Sequence, residues 1–437
     1  MSRGARGTIS RRTALAGLAL TAAYGSAVGQ LVSDTKAAGT SAEPVFSPSG
    51  PHADLYGVKN GFPIPSPSVA RLQGNPFQPG YRVGAFSHFD ELFPTRRIER
   101  AATPWAFKRA TADILYSDKG IRSSLEDYLS RNPITGLLIA KDDRILFEHY
   151  QYGRTDRDRL ISQSMAKSIM GLLIGVAISE GAIKSVDDTA ETYVPGFRGS
   201  EYGKTPIRDL LHMSSGVDFG EERDDGRDLD RLWRDMVRGP APGGSAKGTI
   251  ASIIQFNKRI APPGTRYHYA SIEPDVLGVV LQAAVGQSAS DYLRRKVWEP
   301  IGAEADAAWL VDAQGYEVAH GFFNAVLRDY ARLGRLLAYD GAWDGRQIVP
   351  AQWMIDATTV KPSDTYLAPD KAMAYFGYGY LLWLLPGPRR QFALVGALGQ
   401  RVCVDPASKL VMVQTALDDT QEVWRLWSAV VNQLSRE

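Results

Sequence analysis

The chain has 437 residues, 44% of them hydrophobic, and a formal net charge of +2, which suits one large core or two modest ones and gives no electrostatic basis for a nucleic-acid partner. Its single cysteine, Cys403, excludes an internal disulfide and reads as a small core residue in an apolar run. The six histidines are scattered without an H-E-x-x-H pair, and there is neither a G-x-S-x-G elbow nor a phosphate-binding loop, so neither a metal nor another cofactor is expected.

In chain order, Arg11-Arg12 stands directly before an apolar, Ala/Gly-rich stretch that runs to about Val32. This pattern predicts an export signal over residues 1–29 of the twin-arginine kind, cut near Ala27-Val28-Gly29, hence an exported protein with no membrane span after cleavage; retention of the stretch as an uncleaved anchor is the alternative. Residues 30–110 read as a Pro/Gly/Ser-rich linker and an extended arm. Ile121–Leu129 reads as a short helix, and Ile134–Ala140 with Ile145–Tyr150 as a β-hairpin turning at Lys141-Asp142-Asp143-Arg144. Met165, Ile169, Leu172, Leu173 and Val176 recur at helical spacing, which predicts a buried helix with Ser164 at its first turn. Helical and irregular segments dominate residues 185–320, among them Ile250–Phe256 and Pro274–Val285. Past Leu327 a helix leads to strands at Tyr378–Leu385, Gln391–Val395, Gln400–Val404 and Lys409–Gln414. A last helix, Glu422–Leu434, carries Val423, Leu426, Trp427, Val430 and Leu434 on one face. Strands from both chain ends around a helical middle imply an α+β fold: an antiparallel sheet flanked by helices, plus a helical lobe at about 185–320, all within 111–437. The active site is then expected in the cleft between the two.

Ser164-Met165-Ala166-Lys167 carries the chemistry. Residues three apart share a helix face, so the Lys167 amine lies beside the Ser164 hydroxyl. A serine hydroxyl needs a neighbouring base, and a lysine amine serves as one only where burial or another cation favours its neutral form. The helix start also offers free N–H groups to an oxyanion. A chain this long yields about one S-x-x-K by chance, and Ser33-Asp34-Thr35-Lys36 is such a decoy, with no helix behind it.

Two further segments resemble the serine β-lactamase and penicillin-binding-protein superfamily, in its class C-like and esterase-like branch. Tyr267-His268-Tyr269-Ala270-Ser271 resembles the Y-x-N element, with Tyr269 as the tyrosine and Ser271 in place of Asn. Leu394-Val395-Gly396 resembles the strand of the K-T-G triad, of which only Gly396 is retained. Leu210-Leu211-His212-Met213-Ser214-Ser215-Gly216, Asp329–Gly334 and Gly345–Pro350 resemble further signatures of the branch, in the expected order. Within it the chain most resembles 6-aminohexanoate-dimer hydrolases, from about Ser130 to the C-terminus.

The resemblance implies a β-lactamase/transpeptidase-like fold and hydrolysis of a small amide or ester through an acyl-enzyme on Ser164, with Lys167 and Tyr269 sharing the proton transfers. It implies an oxyanion hole from the backbone N–H groups of Ser164 and Ala397, and substrate contacts at Ser271, His320, Leu394 and Gly396. Leu394 where the family has lysine argues against recognition of a β-lactam carboxylate, since a leucine cannot pair with it. Asp218, Glu221 and Glu222 read as a solvated acidic loop. A β-lactamase or D-alanyl-peptide hydrolase, and a catalytically silent binding protein on the same scaffold, stay open as alternatives. Nothing in the sequence signals an oligomeric state.

Overall fold

The computed structural model describes residues 43–57, 77–221, 227–238 and 245–435; the proposed export segment and Glu222 lie outside the described residues. Nine strands form the main sheet: β1 (Val45–Phe46), β2 (Lys108–Arg109), β3 (Ile134–Lys141), β4 (Arg144–Tyr150), β5 (Gly377–Tyr378), β6 (Trp383–Leu384), β7 (Phe392–Gly396), β8 (Gln400–Asp405) and β9 (Leu410–Ala416). Their order is β1-β4-β3-β9-β8-β7-β6-β5, with β2 also on β4. The sheet is antiparallel except at one edge, where β1 and β2 both run parallel to β4, so it is mixed rather than purely antiparallel. Five helices position the site: α1 (Leu125–Arg131), α2 (Met165–Ser179), α3 (Ile272–Val285), α4 (Leu327–Ala338) and α5 (Glu422–Leu434).

Alternation along the strands divides the interior in two. Leu138 and Ala140 of β3, Phe392 and Leu394 of β7, Val402 and Val404 of β8, and Val411 and Val413 of β9 join the cluster that holds α2, α3 and α4. Their neighbours Leu137, Ile139, Ala393, Cys403, Leu410 and Met412 face the opposite way, under Val423, Leu426, Trp427, Val430 and Leu434 of α5. Both faces are covered, which is why these strands read as nearly continuous apolar runs. α2 is buried from Met165 to Ala177 and is apolar on nearly every side, as an enclosed helix must be; its polar exceptions, Lys167 and Ser168, are hydrogen-bonded.

The N-terminal half departs from expectation in places. Ile121–Ser124 is a strand paired with Leu115–Asp118, and the helix starts only at Leu125. Ser124 and Asp127 form a reciprocal capping box there, which fixes the start, and Ile121 points to solvent instead of filling a helix face. Tyr378–Leu385 is not one strand but the pair β5 and β6, joined through Leu381 at φ 56°. The arm carries short helices at Arg82–Ser87 and Phe89–Leu92, and its strand Thr95–Ile98 enters a second sheet with Ala307–Leu310, Phe323–Ala325 and Leu160–Ile161. Short helices such as Ala190–Tyr193, Ile207–Leu211 and Thr249–Ile253 surround α3 in the lobe.

Candidate active site

Ser164 occupies the N-cap position of α2, yet its hydroxyl makes no cap bond. Its backbone is already helical (φ −66°, ψ −3°), whereas a capping serine is usually extended so that its oxygen can reach back to the first turn. The hydroxyl instead meets Lys167, whose Nζ lies 2.8 Å from Oγ and also donates to the His320 carbonyl at 2.8 Å. Lys167 is only 1% exposed. Gln163, just ahead of the serine, has φ 47°, a left-handed conformation that costs a non-glycine residue about 1–3 kcal/mol and clusters at functional sites.

The rest of the site closes around this pair. The Tyr269 ring centroid is 5.0 Å from Lys167 Nζ, and the ring packs edge-on against Tyr378 and Trp383. The segment bearing Tyr269 is pinned to the 213–221 stretch: His268 N donates to the Met213 carbonyl at 2.7 Å, and His268 Nε2 bonds the Phe219 carbonyl at 2.8 Å. The motif from Leu210 to Gly216 thus holds the tyrosine segment in place. On the sheet side, Gly396 ends β7 against the chain leading to the serine, where a Cβ would stand 2.3 Å from the Ser162 carbonyl oxygen. Only glycine permits that approach. Ala397 follows and is exposed. The Ser164 N–H has no backbone acceptor among the described residues, as the open start of a helix leaves it.

The substrate contacts inferred from sequence fare differently. Ser271 is buried, its Oγ and N–H both donating to the Glu221 carboxylate at 2.7 Å, so its hydroxyl faces that acid. Glu221 is only 6% exposed and accepts from the Ser271 N–H at the start of α3, so the solvated-loop reading fails for it. It holds for Asp218, which makes an exposed pair with Lys258. His320 is 6% exposed, its Nδ1 bonded to Asp275 at 2.7 Å, and it is the carbonyl of this residue that reaches Lys167. Leu394 is fully enclosed in the core and faces no cleft, because period-2 alternation turns it inward with Phe392. Arg401 is taken up by Asp419 at 2.7 Å and by the carbonyls of Gly396 and Gln400. A polar cleft of about 1080 Å³, lined by Phe219, Arg231, Trp233, Arg266 and His268, adjoins the Tyr269 segment without including Ser164.

Sequence reasoning missed Asp275, Tyr378 and Trp383. Asp275 did carry a signal, an acid within the first turn of an apolar helix; the two aromatics carried none. Among the described residues no group of His, Cys, Asp and Glu side chains is placed to hold a metal ion, and no helix is long and apolar enough to cross a membrane.

A serine and a buried lysine thus meet at the start of a central helix, beneath a tyrosine and beside the end of an antiparallel strand, the arrangement expected of a serine hydrolase of the β-lactamase and penicillin-binding-protein type. The beta-lactamase family matches residues 102–421, and the chain belongs to that family. It is 26% identical over 368 residues to the 6-aminohexanoate-dimer hydrolase of Paenarthrobacter ureafaciens, covering 80% of this chain and 90% of that one. A Bacillus anthracis structure, provisionally assigned as a 6-aminohexanoate-dimer hydrolase, superposes with a TM-score of 0.74 at 22% identity, covering 83% and 95% of the two chains. A family VIII carboxylesterase superposes with a TM-score of 0.52 at 16% identity, covering 69% and 93%. The fold is thus β-lactamase/transpeptidase-like.

Proposed function

We propose that the protein hydrolyses small linear amides or esters through an acyl-enzyme on Ser164. The observation that carries this is the 2.8 Å contact between Lys167 Nζ and Ser164 Oγ at the open start of α2. In the reaction a neutral Lys167 amine takes the Ser164 proton as Oγ attacks the substrate carbonyl. The N–H groups of Ser164 and Ala397 receive the developing oxyanion; removing one such donor typically costs about 3–4 kcal/mol. Lys167 and Tyr269 then return the proton to the leaving amine or alcohol, and water releases the acid and frees Ser164.

The substrate class follows from charge. Leu394 is turned into the core, and the Arg401 guanidinium at the end of β7 is engaged by Asp419 and by the carbonyls of Gly396 and Gln400, which leaves it poorly placed to receive a β-lactam carboxylate. Neutral acyl groups are favoured, as in the amide and ester hydrolases the chain resembles. The Arg11-Arg12 pair ahead of its apolar stretch supports export by the twin-arginine route.

Intact-mass spectrometry after a fluorophosphonate probe is expected to show one adduct, lost in Ser164→Ala, together with faster turnover of p-nitrophenyl esters than of a chromogenic cephalosporin. Labelling that persists in Ser164→Ala would overturn the assignment of the nucleophile. Efficient cephalosporin hydrolysis would overturn the substrate class.

A further inference from the structure

We propose that Asp275 is a positioning residue for the Ser164–Lys167 pair, acting through His320; the inference rests on Lys167 being the base. Asp275 sits in the first turn of α3 with its side chain fully buried. A carboxylate there is costly unless its oxygens are satisfied. Capping does not account for it, because Glu221 already serves the Ser271 N–H at the helix start.

Both Asp275 oxygens go to a single residue: Oδ1 accepts from the His320 N–H at 3.1 Å and Oδ2 from Nδ1 at 2.7 Å. Backbone and ring of His320 are thereby clamped together. The next residue is held as well, since the Gly321 carbonyl accepts from Trp309 Nε1 at 3.0 Å. With its N–H and ring fixed on one side, His320 directs its carbonyl at Lys167 Nζ, 2.8 Å away.

The geometry matters because a neutral amine has two N–H bonds and one lone pair. Committing one N–H to the His320 carbonyl anchors the amine beside Ser164 Oγ, so that a small rotation about that bond brings the lone pair to the proton that Oγ gives up. The same carbonyl then accepts from the ammonium once the proton has moved. Asp275 touches neither substrate nor reacting atoms; it sets where the amine is anchored.

The test compares Asp275→Asn, His320→Leu and His320→Asn with the full-length enzyme on a p-nitrophenyl ester. An Asn side-chain amide can donate to Asp275 much as Nδ1 does, and leucine cannot. A lost alignment lowers kcat by up to about 100-fold. We expect that scale of loss in Asp275→Asn, with KM within about twofold and fluorophosphonate adducts still forming on Ser164, only more slowly. His320→Leu should fall to the same level and His320→Asn should recover most of it. The double variant Asp275→Asn/His320→Leu should be no slower than the worse single, because the two act in one chain of contacts. Wild-type kcat in folded Asp275→Asn would overturn the proposal, as would additive losses in the double variant. Should Asp275→Asn fail to fold, the contrast between leucine and asparagine at 320 decides: equal activity refutes the link. Adducts that form without Ser164 would instead refute the underlying reading of the site.

Discussion

Gly396→Ala tests whether β7 and the nucleophile turn are as tightly apposed as the structure requires. Gly396 has φ −116° and ψ 153°, a conformation any residue adopts, so alanine brings no backbone strain of its own. All of the cost is steric. The added methyl would lie 2.3 Å from the Ser162 carbonyl oxygen and 3.0 Å from Gln163 Cβ, where ordinary contact begins near 3.4 Å. Strand and turn must therefore part by about 1 Å, and overpacking of this kind costs about 1–3 kcal/mol. Removing a glycine from the unfolded chain returns about 0.4–1 kcal/mol of that. The larger effect falls on rate, because the displacement separates Ala397 from Ser164, the two proposed sources of oxyanion donors. A misplacement of about 1 Å can cost about 100-fold in kcat. Steady-state kinetics on a p-nitrophenyl ester, beside a thermal melt, read both quantities. A variant with kcat within twofold of the parent and an unchanged melt would show that the close approach is not maintained in solution, and the oxyanion hole would need another second donor.

Two further substitutions probe the interior. Burial pushes the His212 imidazole down to about 4, against about 6.5 in an unfolded chain. The unfolded state thus binds the extra proton first, so stability is full above pH 6.5 and falls as pH drops toward 4, by about 3 kcal/mol in all. Urea melts between pH 7 and 4 should show this loss shrinking in His212→Phe, which keeps a ring against Tyr380 but cannot titrate; an unchanged slope would refute the assignment. Leu394→Lys should destabilise by several kcal/mol (about 3 or more) by placing an ammonium in a closed core; a folded variant that gains cephalosporin turnover would show that position 394 faces the cleft after all.

Much of the site could be read from the chain because its signals are local. Ser164 and Lys167 are one helical turn apart, and the apolar run behind them marks the burial. The face of α5 and the central strands were equally legible, since a stripe of spacing 3.6 and a run of β-branched residues each constrain only their own element. What failed was long-range or directional. The order of β1 and β2 on the sheet edge depends on which strand the arm meets, and no local pattern encodes it. The motif position suggests a cleft residue at Leu394, whereas strand alternation sends it to the core. The partnerships Glu221–Ser271 and Asp275–His320 join residues 50 and 45 positions apart, and a buried carboxylate looks in sequence like a solvated one. The capping box at Ser124 and Asp127 is a local signal that was available and overlooked.

The start of α3 gathers three buried acids, Glu221, Glu273 and Asp275. Glu221 binds Ser271, two residues past Tyr269; Glu273 accepts weakly from the Ser215 N–H at 3.4 Å; Asp275 clamps His320. Burial holds the Glu273 carboxyl well above the usual carboxylate range. Glu221 and Asp275 each have both oxygens satisfied by donors. A helix N-terminus favours negative charge, which makes this one place where several acids can be buried together at tolerable cost. Each acid fixes a different segment: the one after the tyrosine, the motif loop ending in Gly216, and the turn whose carbonyl reaches Lys167. α2 therefore sets where Ser164 stands, and the start of α3 sets how the groups around it are aimed. A purely apolar α3 could fill the same volume but could not hold these segments in register with Ser164.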